Sequence, residues 1–460
     1  MIRINTQLKP DDLAKKLEQF WSISAEKIRL IQQDYDSSKG SPVITVNGIY
    51  TSRGWTEWTQ GFQFGSSILQ FDATGESNFL ESGRADTVNK MASHISHFGV
   101  HDHGFNNLST YGNLLRLMNE GKIVFNEWEK SYYELALKIS GAVQANRWSR
   151  IIDGGFIYSF NGPHSLFVDT LRSCRVLMVS HLLGHALKTE NDVTVNLMKR
   201  ASEHIIATAK YSVFYGEGRD QYDVRGRTAH ESLFNTLDGN YRCPNSQQGY
   251  SGFTTWTRGL ASAMLGFSEQ LELLDHLMVA ELIDVKAKCE LEDIMLKAAS
   301  ATSDFYIENT PSDGIPFWDT GAPLLNKLGD YLDSPADPYN DFEPVDSSAA
   351  SIGAQGLLRL GNYLRLKGKV KEADVYWQAG LTVLDTLFKE PYLNQNPDHQ
   401  GLILHSVYHR PNGWDHIPEG RKSPCCESSM WGDYHAREVA LYLQRIINKD
   451  NYYTFFNGLI

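Results

Sequence analysis

Two aspartates carry the most chemical information in this chain: Asp102, within His101-Asp102-His103-Gly104-Phe105, and Asp169, within a stretch whose spacing reads as an apolar helix. A carboxylate is costly to bury without a partner. Two carboxylates in such settings are candidate acid and base groups of one site, because proton transfer at neutral pH needs perturbed acids. The run 164–187, after Gly162-Pro163, predicts a helix, since proline is tolerated at the first helical position. Phe167, Leu171, Cys174, Met178 and Leu182 give it a core stripe. Ser165, Asp169, Ser173, Val176 and Ser180 form a second, small and polar stripe, which predicts a face lining a cavity. The blander reading of Asp169 is a local pair with Arg172.

Other segments offer binding chemistry. Trp55-Thr56-Glu57-Trp58 sets two tryptophans near a helix start, flat apolar faces for a sugar ring. The stretch from His230 through Gln248 to Trp256-Thr257-Arg258-Gly259 ends in a helix N-terminus with Arg258 in its first turns. Amide donors, the helix dipole and a guanidinium together make a carboxylate receptor. The plainer alternative is an arginine paired with a structural acid. His94, His97 and His101 share a helical face in a helix reading, with His103 beyond, so a metal has to be weighed. No second cluster supplies a partner for it, and neither metal nor cofactor is expected.

These residues need a scaffold. Amphipathic periodicity predicts helices near 11–35, 57–71, 84–97, 106–119, 123–147, 164–187, 190–210, 252–271, 274–303, 347–366, 369–388 and 427–447. Alternating strands are scarce, Pro42 to Tyr50 being the best. Twelve helices in pairs suggest an all-α fold, an (α/α)6 barrel in one domain spanning 1–460. Asp346 or Ser347 is a good N-cap, and the small residues after it permit close helix approach. Three long connections, near 211–250, 304–346 and 389–426, are rich in aromatics and are expected at one rim, shaping a pocket.

Bulk properties narrow the function. The net charge of −12 disfavours a nucleic-acid partner. No apolar run reaches the roughly 18 residues of a membrane span. The amino terminus lacks the apolar core of a secretory signal, and five scattered cysteines suit a reducing compartment. A cytoplasmic protein is expected; its oligomeric state is not assigned.

The order of the motifs resembles the unsaturated glucuronyl hydrolases of glycoside hydrolase family 88. Trp58 to Phe62, His101 to Phe105, Asp169, Trp256 to Gly259, Asp313 to Asp319, Asp346 to Ala350 and Gly432-Asp433-Tyr434 are similar to that family's segments and collinear with them. The resemblance implies that Asp169 is the general acid/base and Asp102 the second essential carboxylate. It also implies that His230, Gln248 and Arg258 bind substrate, with Trp58 and Trp256 against the sugar. The implied substrate is an oligosaccharide bearing a 4,5-unsaturated uronic acid. Ser262 stands where the family has tryptophan, and the aromatic expected between the aspartates is Phe156, Tyr158 or Phe160. The rivals are the related family 105, whose substrates are unsaturated rhamnogalacturonan fragments, a non-catalytic carbohydrate-binding barrel, and an epimerase using His230 and His435 as bases. The His101-Asp102 segment favours family 88 over family 105.

Overall fold

Each long helix follows from an apolar stripe or from small residues that let two helices touch. In Ala14–Asp34 the buried residues Leu17, Phe20, Trp21, Ser24, Ile28 and Ile31 recur every three or four positions, so the helix covers one side of the structure and exposes the other. In Thr257–His276 every residue from Thr257 to Leu274 is buried, as expected of a helix enclosed on all sides. Ser347–Leu366 is capped by the Asp346 carboxylate, which accepts from the Ser348 amide. A Cβ on Gly356 would lie 2.8 Å from the Leu265 amide nitrogen, so glycine allows this helix to press against Thr257–His276.

The computed structural model describes residues 1–53, 57–278 and 287–460. Among these, six segments close a ring in which each packs on the next. They are Gln60–Thr74; the run His103–Asn107, Leu108–Gly112 and Asn113–Asn119; Thr170–Ser173 with Arg175–Leu182; Thr257–His276; Ser347–Leu366; and Met430–Asn448. Six outer helices cover them: Ala14–Asp34, Ser77–Lys90, Glu127–Ala145, Leu197–Tyr211, Lys288–Glu308 and Val370–Leu387. The architecture is the (α/α)6 barrel that the periodicity predicts. Trp55, Thr56 and part of the 274–303 helix prediction lie outside the described residues.

The sequence reading needs three corrections. Ser165–Phe167 is a strand, not the start of a helix; it pairs antiparallel with Glu231–Phe234, which pairs in turn with Tyr241–Asn245. Asp169 therefore stands between the strand and the helix rather than inside the helix. The small polar stripe does not line a cavity as a unit: Ser165 Oγ donates to Glu231, Ser173 Oγ to the His101 carbonyl and Ser180 Oγ to the Lys138 carbonyl. Second, the connection 211–250 holds two of those strands. Third, the helix carrying His94 ends at Ile95, so the histidines share no helical face. Pro42 to Tyr50 contains the predicted strand, Ile44–Val46, hairpinned to Ile49–Thr51.

Candidate active site

All six inner segments contribute their N-terminal ends to one cavity of about 800 Å³. Trp58 precedes the first, Asp102 the second and Asp169 the third; Trp256 and Arg258 open the fourth, Ile352 lies in the second turn of the fifth, and Trp431 is the second residue of the sixth. Helix N-termini carry partial positive charge, so this end of the barrel favours an anionic ligand.

Asp169 is placed by the strand. The Val168 amide donates to the His230 carbonyl at 2.9 Å, and the chain then turns into Thr170–Ser173. Aspartate at such a position usually caps the helix, but the Asp169 side chain makes no capping bond, and its Oδ1 is buried without a partner. Asp102 sits at the start of His103–Asn107, its own carbonyl accepting from the Phe105 and Asn106 amides. The two segments are tied together: Ser173 Oγ donates to the His101 carbonyl and accepts from the Gly104 amide at 3.1 Å, and Gln144 Nε2 donates to the same carbonyl at 2.7 Å. A Cβ on Gly104 would sit 2.0 Å from the Ser173 carbonyl oxygen, so only glycine lets the aspartate loop approach this closely.

The electrostatics set this pair apart from the structural carboxylates. Asp72, whose carboxylate is buried, is surrounded by Arg116, Arg445 and Lys122. Asp102 and Asp169 have no such cations in ion-pair contact among the described residues; the ring nitrogen nearest Asp102 is His101 Nε2 at 3.7 Å, beyond hydrogen-bond length. Burial, reinforced by the negative charge of Asp169, pushes Asp102 up to about 8. Burial also lifts Asp169, to about 6, with the Arg258 charge pulling the other way. Both carboxyls are therefore held above the usual carboxylate range, toward neutral pH.

Arg258 meets both readings offered for it. It lines the cavity, and its Nε lies 3.7 Å from Asp346, whose Oδ1 is engaged with Ser348. Its Nη2 donates to Gln248 Oε1 at 3.0 Å and to the Tyr408 carbonyl at 2.7 Å. The guanidinium lies over the Trp256 and Trp431 rings, 4.5 and 4.6 Å from their centres. The first helix amide, Thr257 N–H, is committed to the Trp318 carbonyl, so the guanidinium is the stronger element of the receptor.

The walls are aromatic. Trp58 stacks on Trp431 at 5.0 Å, Tyr408 packs on Trp414 at 5.2 Å, and Phe62, Phe105, Phe160 and Phe167 complete the lining. Of the aromatics weighed between the aspartates, Phe160 reaches the cavity; Phe156 is in a small core cluster, and Tyr158 lies against Arg147. Ser262 also lines the cavity. Sequence reasoning missed Gln247, His409 and Trp431. Trp431 had a signal, since it directly precedes the Gly432-Asp433-Tyr434 motif. Of the three long connections, 211–250 and 389–426 supply lining residues, whereas 304–346 supports the site from behind, through contacts such as that from Thr257 to Trp318.

The histidines do not act together. His94 contacts Gln60, His103 contacts Ser140 and the His97 carbonyl, and His101 stacks on Phe160. His230 lies behind the lining: its Nδ1 accepts from the Gln247 and Gln248 amides at 3.0 and 3.2 Å, which fixes the loop presenting Gln248. His435 reaches the cavity, but its Nδ1 bonds the Trp431 carbonyl and its Nε2 faces the Arg172 guanidinium. Burial holds both rings well below their usual range. In both, the bonded ring nitrogens are committed to protein groups, so neither offers the free base that an epimerase would use.

The site is thus an aromatic hollow at one end of an (α/α)6 barrel, holding two carboxylates and an arginine. No family model matches the sequence. An unsaturated glucuronyl hydrolase of Formosa agariphila is 24% identical over 398 residues, covering 85% of this chain and 81% of that protein. One from Bacillus sp. strain GL1 is 25% identical over 393 residues, covering 85% and 87%. The crystal structure of an unsaturated glucuronyl hydrolase from Bacillus sp. GL1, responsible for the degradation of glycosaminoglycan, superposes with a TM-score of 0.70 at 19% identity, covering 94% of this chain and 97% of that one.

Proposed function

We propose that this chain is a glycoside hydrolase that removes a 4,5-unsaturated uronic acid from the non-reducing end of lyase-generated oligosaccharides by hydrating the ring double bond. One observation carries the reading: buried Asp102 and partly buried Asp169, among the described residues without cations in ion-pair contact, share an aromatic-walled cavity with buried Arg258. The similarity to unsaturated glucuronyl hydrolases supports it.

In this reading Arg258 and Gln248 receive the uronate carboxylate, and the sugar ring lies against Trp58 and Trp256. The uronate offsets the Arg258 charge, which is what holds the Asp169 pKa down, so occupancy moves the shared proton toward Asp169. Asp169 then delivers it to C4 of the vinyl ether. Cationic charge develops at C5, stabilised by the ring oxygen and by ionised Asp102. Water adds to C5, losing its proton to Asp169. The hemiketal opens to a ketone, leaving a hemiacetal at C1 that expels the remaining sugar. The bond to the leaving sugar thus breaks after hydration, and carboxylate spacing does not report a retaining or inverting outcome. No step needs a metal or cofactor. The whole chain acts as one catalytic domain, and its five unbridged cysteines suit the cytoplasm; among the described residues no helix is long and apolar enough to cross a membrane.

The test is to incubate the protein with unsaturated disaccharides from glycosaminoglycans and with an unsaturated rhamnogalacturonan fragment. Loss of the alkene's ultraviolet absorbance with release of an open-chain keto-uronate is expected for the uronate linked to an amino sugar. Preference for the rhamnose-linked substrate would favour the family 105 reading, and persistence of the alkene in every sugar would overturn the assignment.

A further inference from the structure

The connection 389–426 ends in a feature the hydrolase reading does not use: Cys425 and Cys426 are adjacent, with their sulfur atoms 3.5 Å apart. Cys425 is buried and Cys426 partly exposed, so one thiol is accessible and its neighbour waits beneath it. Cys426 has φ +67°, a left-handed conformation unfavourable for a side chain with a Cβ. Two contacts hold it there: its amide donates to His405 Nδ1 at 3.1 Å, and its carbonyl meets His399 Nε2 at 3.1 Å.

We propose that Cys425 and Cys426 form a dithiol modification site that reacts with small-molecule disulfides and closes to a vicinal disulfide, thereby lowering turnover at the cavity. The hydrogen bond shared with the neighbouring thiol holds Cys426 below the usual thiol range, with Arg421 acting in the same direction. A thiolate at neutral pH is what exchange requires. The Cys426 thiolate attacks one sulfur of oxidised glutathione, breaking that S–S bond and releasing one glutathione thiolate. Cys425 then loses its proton to solvent and attacks the Cys426 sulfur, displacing the second glutathione. One S–S bond forms in the protein and one breaks in the oxidant; the protein loses two electrons and the glutathione gains them.

The route to the cavity is short. Ring closure constrains the 425–426 peptide and disturbs the amide and carbonyl that His405 and His399 now hold. The Ser406 amide bonds the Glu427 carbonyl at 3.0 Å, so the strand of chain leading to Tyr408 and His409 is attached to this turn. On the other side, Ser429 caps the helix that presents Trp431. Both cavity walls therefore depend on the geometry of one dipeptide.

The experiment uses the full chain with exposed Cys243 and Cys289 replaced by serine. After oxidised glutathione, mass spectrometry of the 425–426 peptide is expected to show loss of two hydrogen atoms without retained glutathione. kcat/KM for the unsaturated disaccharide is expected to fall several-fold and to recover with dithiothreitol. Cys425→Ser is expected to keep basal turnover and stop at a retained glutathione on Cys426. Two reactive thiols at 425 and 426, under conditions that fully glutathionylate Cys243 in the unsubstituted chain, would overturn the site. A closed disulfide with unchanged kcat/KM would overturn its coupling to the cavity. The mass readout is independent of substrate, so failure of the hydrolase reading leaves the thiol chemistry decided.

Discussion

Gln248 Oε1 accepts a hydrogen bond from Arg258 Nη2 at 3.0 Å, joining the loop after strand Tyr241–Asn245 to the first turn of helix Thr257–His276. The Tyr408 carbonyl holds the same nitrogen from a third segment. A neighbouring loop and a segment 150 residues away thus aim one cation into the hollow.

Replacing that cation gives the first prediction. A charge-assisted hydrogen bond is worth about 1.5–3 kcal/mol, so Arg258→Ala is expected to raise KM by about 10- to 100-fold with a smaller change in kcat. Steady-state kinetics on an unsaturated disaccharide measures this. An unchanged KM would remove Arg258 from the carboxylate receptor.

Asp169→Asn keeps the shape but deletes the transferable proton. General acid–base groups contribute about 10²- to 10⁴-fold, and kcat is expected to fall by that much while the disaccharide still binds, as read by calorimetry. Near-normal alkene loss in this variant would contradict the role given to Asp169.

The pH profile follows from the pair. Between about 6 and about 8 the two carboxyls hold one proton between them, below that range two, and above it none. kcat/KM is therefore expected to trace a bell across this interval. Bound uronate offsets the Arg258 charge, so the kcat profile should lie at higher pH than the kcat/KM profile. Coincident profiles would mean that substrate does not neutralise Arg258.

Stability should move the other way from the usual carboxylate case. Asp102 has a folded pKa raised above its unfolded value, so its contribution is fully present below the unfolded pKa near 4 and is lost as pH rises through about 8. Asp102→Asn has no such proton to lose. Its unfolding free energy is expected to gain on that of the parent protein with rising pH, by on the order of a few kcal/mol at pH 9, with the thermal midpoint following. Parallel melting curves from pH 5 to 9 would show that burial does not tax the charged form.

Most of the scaffold was legible. Leu17, Phe20, Ile28 and Ile31 announce their helix through spacing alone, and Asp346 announces the next one as an N-cap, because both signals pass between residues a turn apart. The stretch around Ser165 misled for the same reason: its local period is helical, yet Ser165 to Phe167 pairs with Leu233 to Glu231, a partner that local spacing cannot reveal. His230 was singled out with the right neighbours and given a direct part in binding, whereas it supports Gln248 from behind.

The sequence by itself determined the helical hairpins and the order of the site segments along them, since those follow from periodicity and capping, and it singled out Asp102, Asp169 and Arg258 as candidates through the cost of burying charge. Only the tertiary structure decided that Asp169 sits at a strand-to-helix turn, that Trp431 and His409 line the cavity, and that burial lifts both acids above the usual carboxylate range. Those facts depend on which distant residues share a low-dielectric space, and closure of the ring, which brings residue 58 against residue 431, creates that space.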